Sequence, residues 1–287
     1  MTRAIMHGCN GKMGQVITGL CKEDPDIEIV AGIDVSNHIK NEYPVYQSLW
    51  DCKEEADVII DFASAQAADV LIDYSVQKEI PVVICTTGLS EEQIERIEAA
   101  AQKTAVLRSA NMSMGINILM DLLKKAAKVL APAGFDMEIV EKHHNQKVDA
   151  PSGTALALAD SINAANDNKY TYKFDRSQVR EKRTDNEIGI SAVRGGTIVG
   201  EHEVIFAGED EVIELKHTAY SKGIFGKGAI SAAAKIALFK ASTSPEMAAK
   251  MIPAAIKINQ NQLTISHHPY NLCTGNANND KIKRKLQ

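Results

Sequence analysis

The chain has 287 residues, of which 45% are hydrophobic and 24% charged, with a formal net charge of −5. That balance excludes a disordered chain and gives no global attraction to nucleic acid or an anionic membrane, so any anion site must be local. Five scattered cysteines, Cys9, Cys21, Cys52, Cys85 and Cys273, without Cys-x-x-Cys spacing, argue against a disulfide framework or a zinc site. The N-terminus lacks the apolar core of a signal peptide and no run reaches the length of a membrane span, so a cytoplasmic protein with neither membrane nor nucleic-acid partners is expected.

In chain order, the runs AIMHG, IEIVAGID, DVIIDFA, PVVICTTG and AVLRSAN read as strands bounded by turn residues, with helical patterns between them. One of those helices, SEEQIERIEAAAQ, opens with Ser90 and Gln93 at capping-box spacing. Strand and helix in alternation imply α/β architecture: a Rossmann-like, doubly wound parallel sheet. After an amphipathic helix, GINILMDLLKKAAKVLAPAG, ended by Pro132 and Gly134, the rhythm changes. DMEIVEKH alternates as a strand. A polar turn and an alanine-rich helix follow, then three strand-like runs, EIGISAVRGG, IVGEHEVIFAG and EVIELKHTA. This predicts a second, α+β domain with a mixed, mainly antiparallel sheet. GKGAISAAAKIALFK reads as a further helix rich in small residues, and the asparagine-rich remainder is expected to be poorly ordered.

Gly8, Gly11 and Gly14 follow the first strand and open a helix, as a pyrophosphate-binding loop requires: glycines allow a tight turn and close approach, and the helix start offers free N–H groups. An ordinary strand-to-helix turn would use the same residues. Asp34, about twenty residues beyond Gly14 and at the end of the second strand, stands where an acidic side chain accepts ribose hydroxyls. With Val35 beside it and no arginine for a 2'-phosphate, NADH is favoured over NADPH. Phe62 and Ala63, and then Thr86, Thr87 and Gly88, end further strands at the same crevice, although the Thr-Thr-Gly segment also suits a helix entry.

The stretch EKHHNQKVDAPSGTAL concentrates the remaining chemistry. Pro151, Ser152 and Gly153 break the chain and Thr154 leads a helix, so the N–H groups of Gly153 and Thr154 can face a carboxylate. Lys147 adds a charge and Lys222 a second. His143 or His144 beside such anchors suits proton transfer to a bound organic anion. Ser-Gly-Thr as a plain helix cap, and the histidines as surface polarity, remain alternatives. No third ligand supports a metal site. Glu141 and Asp149 flank the stretch as groups that could orient a histidine or lysine. VRGG and GEH read equally as hairpin turns or functional loops.

At this point the sequence resembles the 4-hydroxy-tetrahydrodipicolinate reductase (dihydrodipicolinate reductase) family. The segments GCNGKMGQ, DFA, CTTG, SANMSMGIN, EKHHNQKVDAPSGTA, AVRGGTIVGEH and HTAYSKGIFGKGAISAA carry the resemblance over residues 1 to about 238. It implies NAD(P)H-dependent reduction of 4-hydroxy-tetrahydrodipicolinate, a cyclic dicarboxylate of diaminopimelate and lysine biosynthesis, by a homotetramer. It also implies residues 1–113 and 223–287 as the dinucleotide-binding domain, 114–222 as the substrate and oligomerisation domain, and a hinge near 112–115 and 222–226. His143 and Lys147 become the catalytic pair, with His144, Lys147, Gly153 and Thr154 holding the carboxylates. With the loop and strand ends read above, the cofactor set becomes Gly8, Gly11, Lys12, Met13, Gly14, Asp34, Phe62, Cys85, Thr86, Thr87, Ser109, Ala110, Asn111, Met112 and Lys222. Three departures stand out: Lys222 where the family often has arginine, Cys85 where glycine is common, and an ending after about residue 240 unlike the family's. The competing readings are another two-domain Rossmann reductase and a non-catalytic NAD(P)-binding sensor.

Overall fold

β-Branched residues packed on both faces make the first sheet. A computed structural model of the chain describes residues 1–177 and 180–242; the asparagine-rich ending lies outside the described residues. Strands β1 (Thr2–His7), β2 (Ile27–Ile33), β3 (Val45–Tyr46), β4 (Val58–Asp61), β5 (Val82–Ile84) and β6 (Val106–Arg108) pair in parallel in the order β3-β2-β1-β4-β5-β6. Alternate residues of β1 and β4 feed two separate cores. Ala4, Met6 and Ile60 face one, and Ile5 and Ile59 the other, all almost wholly buried. Helix α1 (Lys12–Lys22) lies on the first face, and α2 (Ala68–Lys78) and α3 (Glu91–Ala100) on the second. The predicted capping box is formed: Ser90 Oγ accepts from Gln93 N, and Gln93 Oε1 from Ser90 N. Strand order reverses between β1 and β4, which opens a crevice at their carboxyl ends.

The second sheet is built on one sided burial. Strands β7 (Asp136–His143), β8 (Thr171–Phe174), β9 (Glu187–Arg194), β10 (Gly200–Ala207) and β11 (Val212–Ala219) take the order β11-β10-β7-β9-β8. Pairs β11/β10 and β10/β7 are antiparallel, and β7/β9 and β9/β8 parallel. Helices α4 (Met114–Leu130) and α5 (Gly153–Ala164) cover the inner face, where Met137, Ile139, Ile188, Val204 and Phe206 form the core with Leu123 and Leu158. Strands β3 and β8 escaped the sequence reading. The first has only two residues, and the second alternates aromatics in a stretch too short to separate from a turn. The hairpin reading of VRGG and GEH is also corrected: β9 and β10 flank β7 and do not pair with each other. The segment between them crosses the end of β7, with Gly195 N donating to His143 O at 2.9 Å.

Helix α6 (Gly223–Ser242) returns to the first sheet and packs on α1. Its small residues set that distance. A Cβ on Gly228 would lie 1.8 Å from Met112 O, and one on Gly226 would lie 2.8 Å from Leu20 Cδ1. Among the described residues no helix is long and apolar enough to cross a membrane.

Candidate active site

Two-residue periodicity places the site. The inward residues of β7 run Met137, Ile139, Glu141, His143, so the alternation that builds the core ends in two polar groups on the same face. Register supplies their neighbours. His202 on β10 is the partner of Glu141, and Arg194 on β9 is the partner of His143. Glu141 is fully buried yet saturated with donors. It receives Arg194 Nη1 at 2.8 Å and Nη2 at 2.7 Å, Ser152 N at 2.9 Å, and His143 Nδ1 at 2.6 Å. Burial by itself would raise the carboxyl pKa, but Arg194, His143 and the Ser152 N–H outweigh it and hold it below the usual value.

His143 is thus oriented with Nδ1–H toward Glu141, leaving Nε2 for other chemistry. A Cβ on Gly200 would lie 3.2 Å from that nitrogen, so glycine there keeps its surroundings open. Burial pushes His143 below the usual histidine value, with Lys147 and Arg194 adding to the shift and Glu141 opposing it. His202, in edge contact with His143 at 5.1 Å between ring centres, is pushed down to about 3 by burial and then by His143. It is therefore neutral.

Ser152 caps α5, its Oγ accepting from Ala155 N at 3.2 Å, which leaves the hydroxyl proton for His202 Nε2 at 3.1 Å. Held at both its amide and its hydroxyl, Ser152 fixes the helix start from beneath. Gly153, exposed, and Thr154, half-buried, form the first turn of α5 above it. Lys147 Nζ sits 2.8 and 2.9 Å from the two oxygens of Asp149, which it holds below the usual carboxylate range. His144 Nδ1 is sealed from solvent without a partner. Across the boundary between the two sheets, Asn111 Nδ2 donates to Thr154 Oγ1 at 2.9 Å.

The crevice at the β1/β4 reversal fits a dinucleotide. Gly8 has φ +82°, and a Cβ there would meet Phe62 O at 2.7 Å. A Cβ on Gly14 would lie 2.3 Å from Gly8 O. Both glycines are therefore required by close backbone approach. A cleft of about 430 Å³ runs past Gly8, Gly11, Asp34, Phe62 and Ala63. Asp34 accepts from Asn10 N and Ser36 N, each at 2.9 Å, which ties the end of β2 to the glycine loop. Thr86 Oγ1, at the end of β5, is buried without a partner.

Comparison with known proteins places this geometry. Residues 2–112 match the family model for the N-terminus of dihydrodipicolinate reductase, and residues 115–251 that for its C-terminus. The chain belongs to the dihydrodipicolinate reductase family. It is 56% identical over 233 residues to the 4-hydroxy-tetrahydrodipicolinate reductase of Caldanaerobacter subterraneus subsp. tengcongensis, covering 81% of this chain and 92% of the relative. The corresponding protein of Clostridium tetani is 50% identical over 234 residues, covering 82% and 91%. Among solved structures, dipicolinate-bound dihydrodipicolinate reductase from Paenisporosarcina sp. TG-14 superposes with a TM-score of 0.70 at 26% identity, covering 83% of this chain and 95% of that one.

Within this family member, the structure gathers the expected residues unevenly. His143, His144, Lys147, Gly153 and Thr154 lie around the end of β7 and the start of α5, and Asn111 reaches them by its bond to Thr154. Gly8, Gly11, Asp34 and Phe62 share the cleft, while Lys12 and Met13 begin α1 beside it. Ser109 and Ala110 follow β6, with Ser109 Oγ donating to Asn111 O at 2.8 Å. Two side chains point elsewhere. Cys85 and Met112 are buried in the core under α6, so only their backbone can face a cofactor. Burial pushes the Cys85 thiol well up, and it stays protonated. Lys222 has an exposed side chain that forms no hydrogen bond or ion pair with a described residue, and its carbonyl accepts from Phe225 N at 3.2 Å. Arg194 and His202 stood only within VRGG and GEH, segments that read equally as turns or functional loops, and neither was named as a site residue. Their signal, a charged or aromatic polar residue in strand register beside a histidine, exists only once strand order is known.

Proposed function

We propose that the chain catalyses NAD(P)H-dependent reduction of 4-hydroxy-tetrahydrodipicolinate to tetrahydrodipicolinate in diaminopimelate and lysine biosynthesis. The observation that carries the reading is the buried Glu141–His143 pair, set beside Lys147 and the exposed N-terminal turn of α5. The 1–113 segment with α6 would form the dinucleotide-binding domain and residues 114–222 the substrate domain. A homotetramer in the cytoplasm is the corresponding assembly and location.

When bound in the cleft, the dinucleotide would supply a hydride, and the net change takes up one hydride and one proton and releases water. This chain's residues supply the rest. The Gly153 and Thr154 N–H groups, with His144 and Lys147, hold the substrate carboxylates. Lys147 exchanges its contact with Asp149 for the substrate. His143, fixed by Glu141, offers Nε2 as the proton-transfer atom. Its lowered pKa makes a proton held there readily given up, and a dianionic substrate alongside favours loading it. Asn111 spans from the cofactor side to Thr154, so substrate contact and closure over the nicotinamide are coupled. Asp34 with Val35 supports NADH as the preferred donor.

The deciding experiment follows NADH and NADPH oxidation by purified protein, with substrate generated in place from pyruvate and aspartate semialdehyde by the preceding synthase. Wild type should turn over, while His143→Gln and Lys147→Ala lose about 10²-fold or more in rate and still bind NADH. A folded wild type that binds NADH and shows no turnover would reject the reductase reading and favour a sensor.

A further inference from the structure

A second buried histidine–carboxylate pair lies outside the cluster described above. His7 ends β1 and Asp61 ends β4, and the two are register partners across the switch in strand order. His7 Nδ1 lies 2.8 Å from Asp61 Oδ1, with side chains only 9% and 2% exposed. Ala63 N also donates to Asp61 Oδ1 at 3.2 Å, whereas Oδ2 is sealed without a partner. The residues two positions earlier on the same face, Ile5 and Ile59, fill the core with hydrocarbon. A buried carboxylate with an unmet oxygen is a poor way to end such a layer unless it serves something else.

What it achieves is orientation. Asp61 takes the Nδ1–H of His7, which leaves Nε2 as the acceptor nitrogen. No described protein group bonds Nε2, and it is not among the sealed, partnerless atoms, so it opens to the cleft that the ring lines. Position along that cleft identifies what it meets. Gly8 and Gly11 bring the glycine loop that suits phosphate, and the exposed Val35 and Val70 give apolar surface suited to a purine. His7 and Asp34 line the same cleft and bring the polar atoms that a ribose joining the two would need.

We propose that His7 is a further cofactor-contacting, affinity-determining residue, with Nε2 accepting a hydrogen bond from a hydroxyl of the adenosine ribose and Asp61 as its positioning residue. The proposal rests on the dinucleotide reading above and assigns a contact within it.

The test titrates full-length wild type and His7→Ala with NADH, with ADP-ribose as the adenosine half, and with reduced nicotinamide mononucleotide as the other half. Affinity for NADH and ADP-ribose should fall about threefold to tenfold in the variant, the range for one neutral hydrogen bond, with the mononucleotide unaffected. A second comparison uses the 2'- and 3'-deoxyadenosine analogues of NADH. Removing the hydroxyl that His7 accepts should weaken wild type by a similar factor and leave His7→Ala indifferent. A purely structural role would change thermal stability without producing that coupling. His7→Leu, which fills the space without a nitrogen, carries the same comparison if the alanine variant does not fold. Normal binding by wild type with equal analogue losses in both proteins overturns the role of His7 alone. Failure of wild type to bind NADH or ADP-ribose overturns the dinucleotide reading, and this contact with it.

Discussion

Asn111 and Thr154, 43 positions apart in sequence, meet through a 2.9 Å hydrogen bond that joins the end of the parallel sheet to the first turn of α5. Asn111 is itself braced: its Oδ1 accepts from Ser113 N at 2.9 Å, and Asn117 Nδ2 donates to its carbonyl at 3.0 Å. The bond therefore relates two braced elements.

Thr154→Val keeps the shape of the side chain and removes the acceptor. Substrate KM should rise about threefold to tenfold, with NADH affinity measured by fluorescence changing less than twofold. Equal weakening of both ligands would show that the bond holds the fold and not the closed site.

Glu141→Gln tests whether the carboxylate positions His143. The amide cannot satisfy His143 Nδ1–H, Arg194 and Ser152 N together, so kcat should drop on the order of 10²-fold with a smaller change in NADH affinity. Glu141 raises the His143 pKa, so its removal should shift the corresponding limb of the kcat/KM profile to lower pH. Stability should fall by about 3 kcal/mol in chemical denaturation, because Arg194 keeps its charge and loses its partner. An unshifted pH profile with normal kcat would rule out the positioning role.

His202 makes the fold acid-sensitive. Its folded pKa of about 3 lies below the ordinary 6.5, so the unfolded chain binds the proton more readily. The neutral ring's contribution is complete above pH 6.5 and declines as pH falls from there toward 3. Between pH 7 and pH 5 this removes about 2 kcal/mol, and His143, shifted in the same direction, adds to it. His202→Gln should flatten the pH dependence of the thermal midpoint in that window. A midpoint that falls as steeply as in wild type would refute this account.

Gly14→Ala inserts a methyl 2.3 Å from Gly8 O and 2.5 Å from Cys9 O, both backbone atoms. Helix α1 must then move away from the loop. Loss of NADH binding by at least tenfold, with a lowered thermal midpoint, is expected. Gly19→Ala on the same helix, where a Cβ meets nothing within 4 Å, is the control and should bind normally. Unimpaired NADH binding by Gly14→Ala would contradict the close-approach argument.

Local periodicity made much of the molecule legible. Short apolar strands between helical patterns announced the parallel sheet, and Ser90 with Gln93 marked a helix start that forms as read. Gly8, Gly14 and Asp34 stood out because a tight strand-to-helix turn and a strand-end acid leave signatures within about thirty residues. His143, Lys147 and the Ser152–Thr154 turn were visible for the same reason: they share one loop and one helix start.

Strand order was not local, and the sequence by itself left it open. Alternation along β7 determined that Glu141 and His143 share a face, but Arg194 and His202 reach them only because β9 and β10 lie on either side of β7. Neither partnership can be read from an eight-residue pattern. The same applies to His7 and Asp61, which became a pair through the β1/β4 register, and to Cys85 and Met112, whose side chains went to the core once α6 returned across the first sheet. Chemistry-bearing residue types were written in the sequence, and alternation set Glu141 beside His143; which further groups join them was decided by long-range pairing, because hydrogen bonds depend on distance in space and not along the chain.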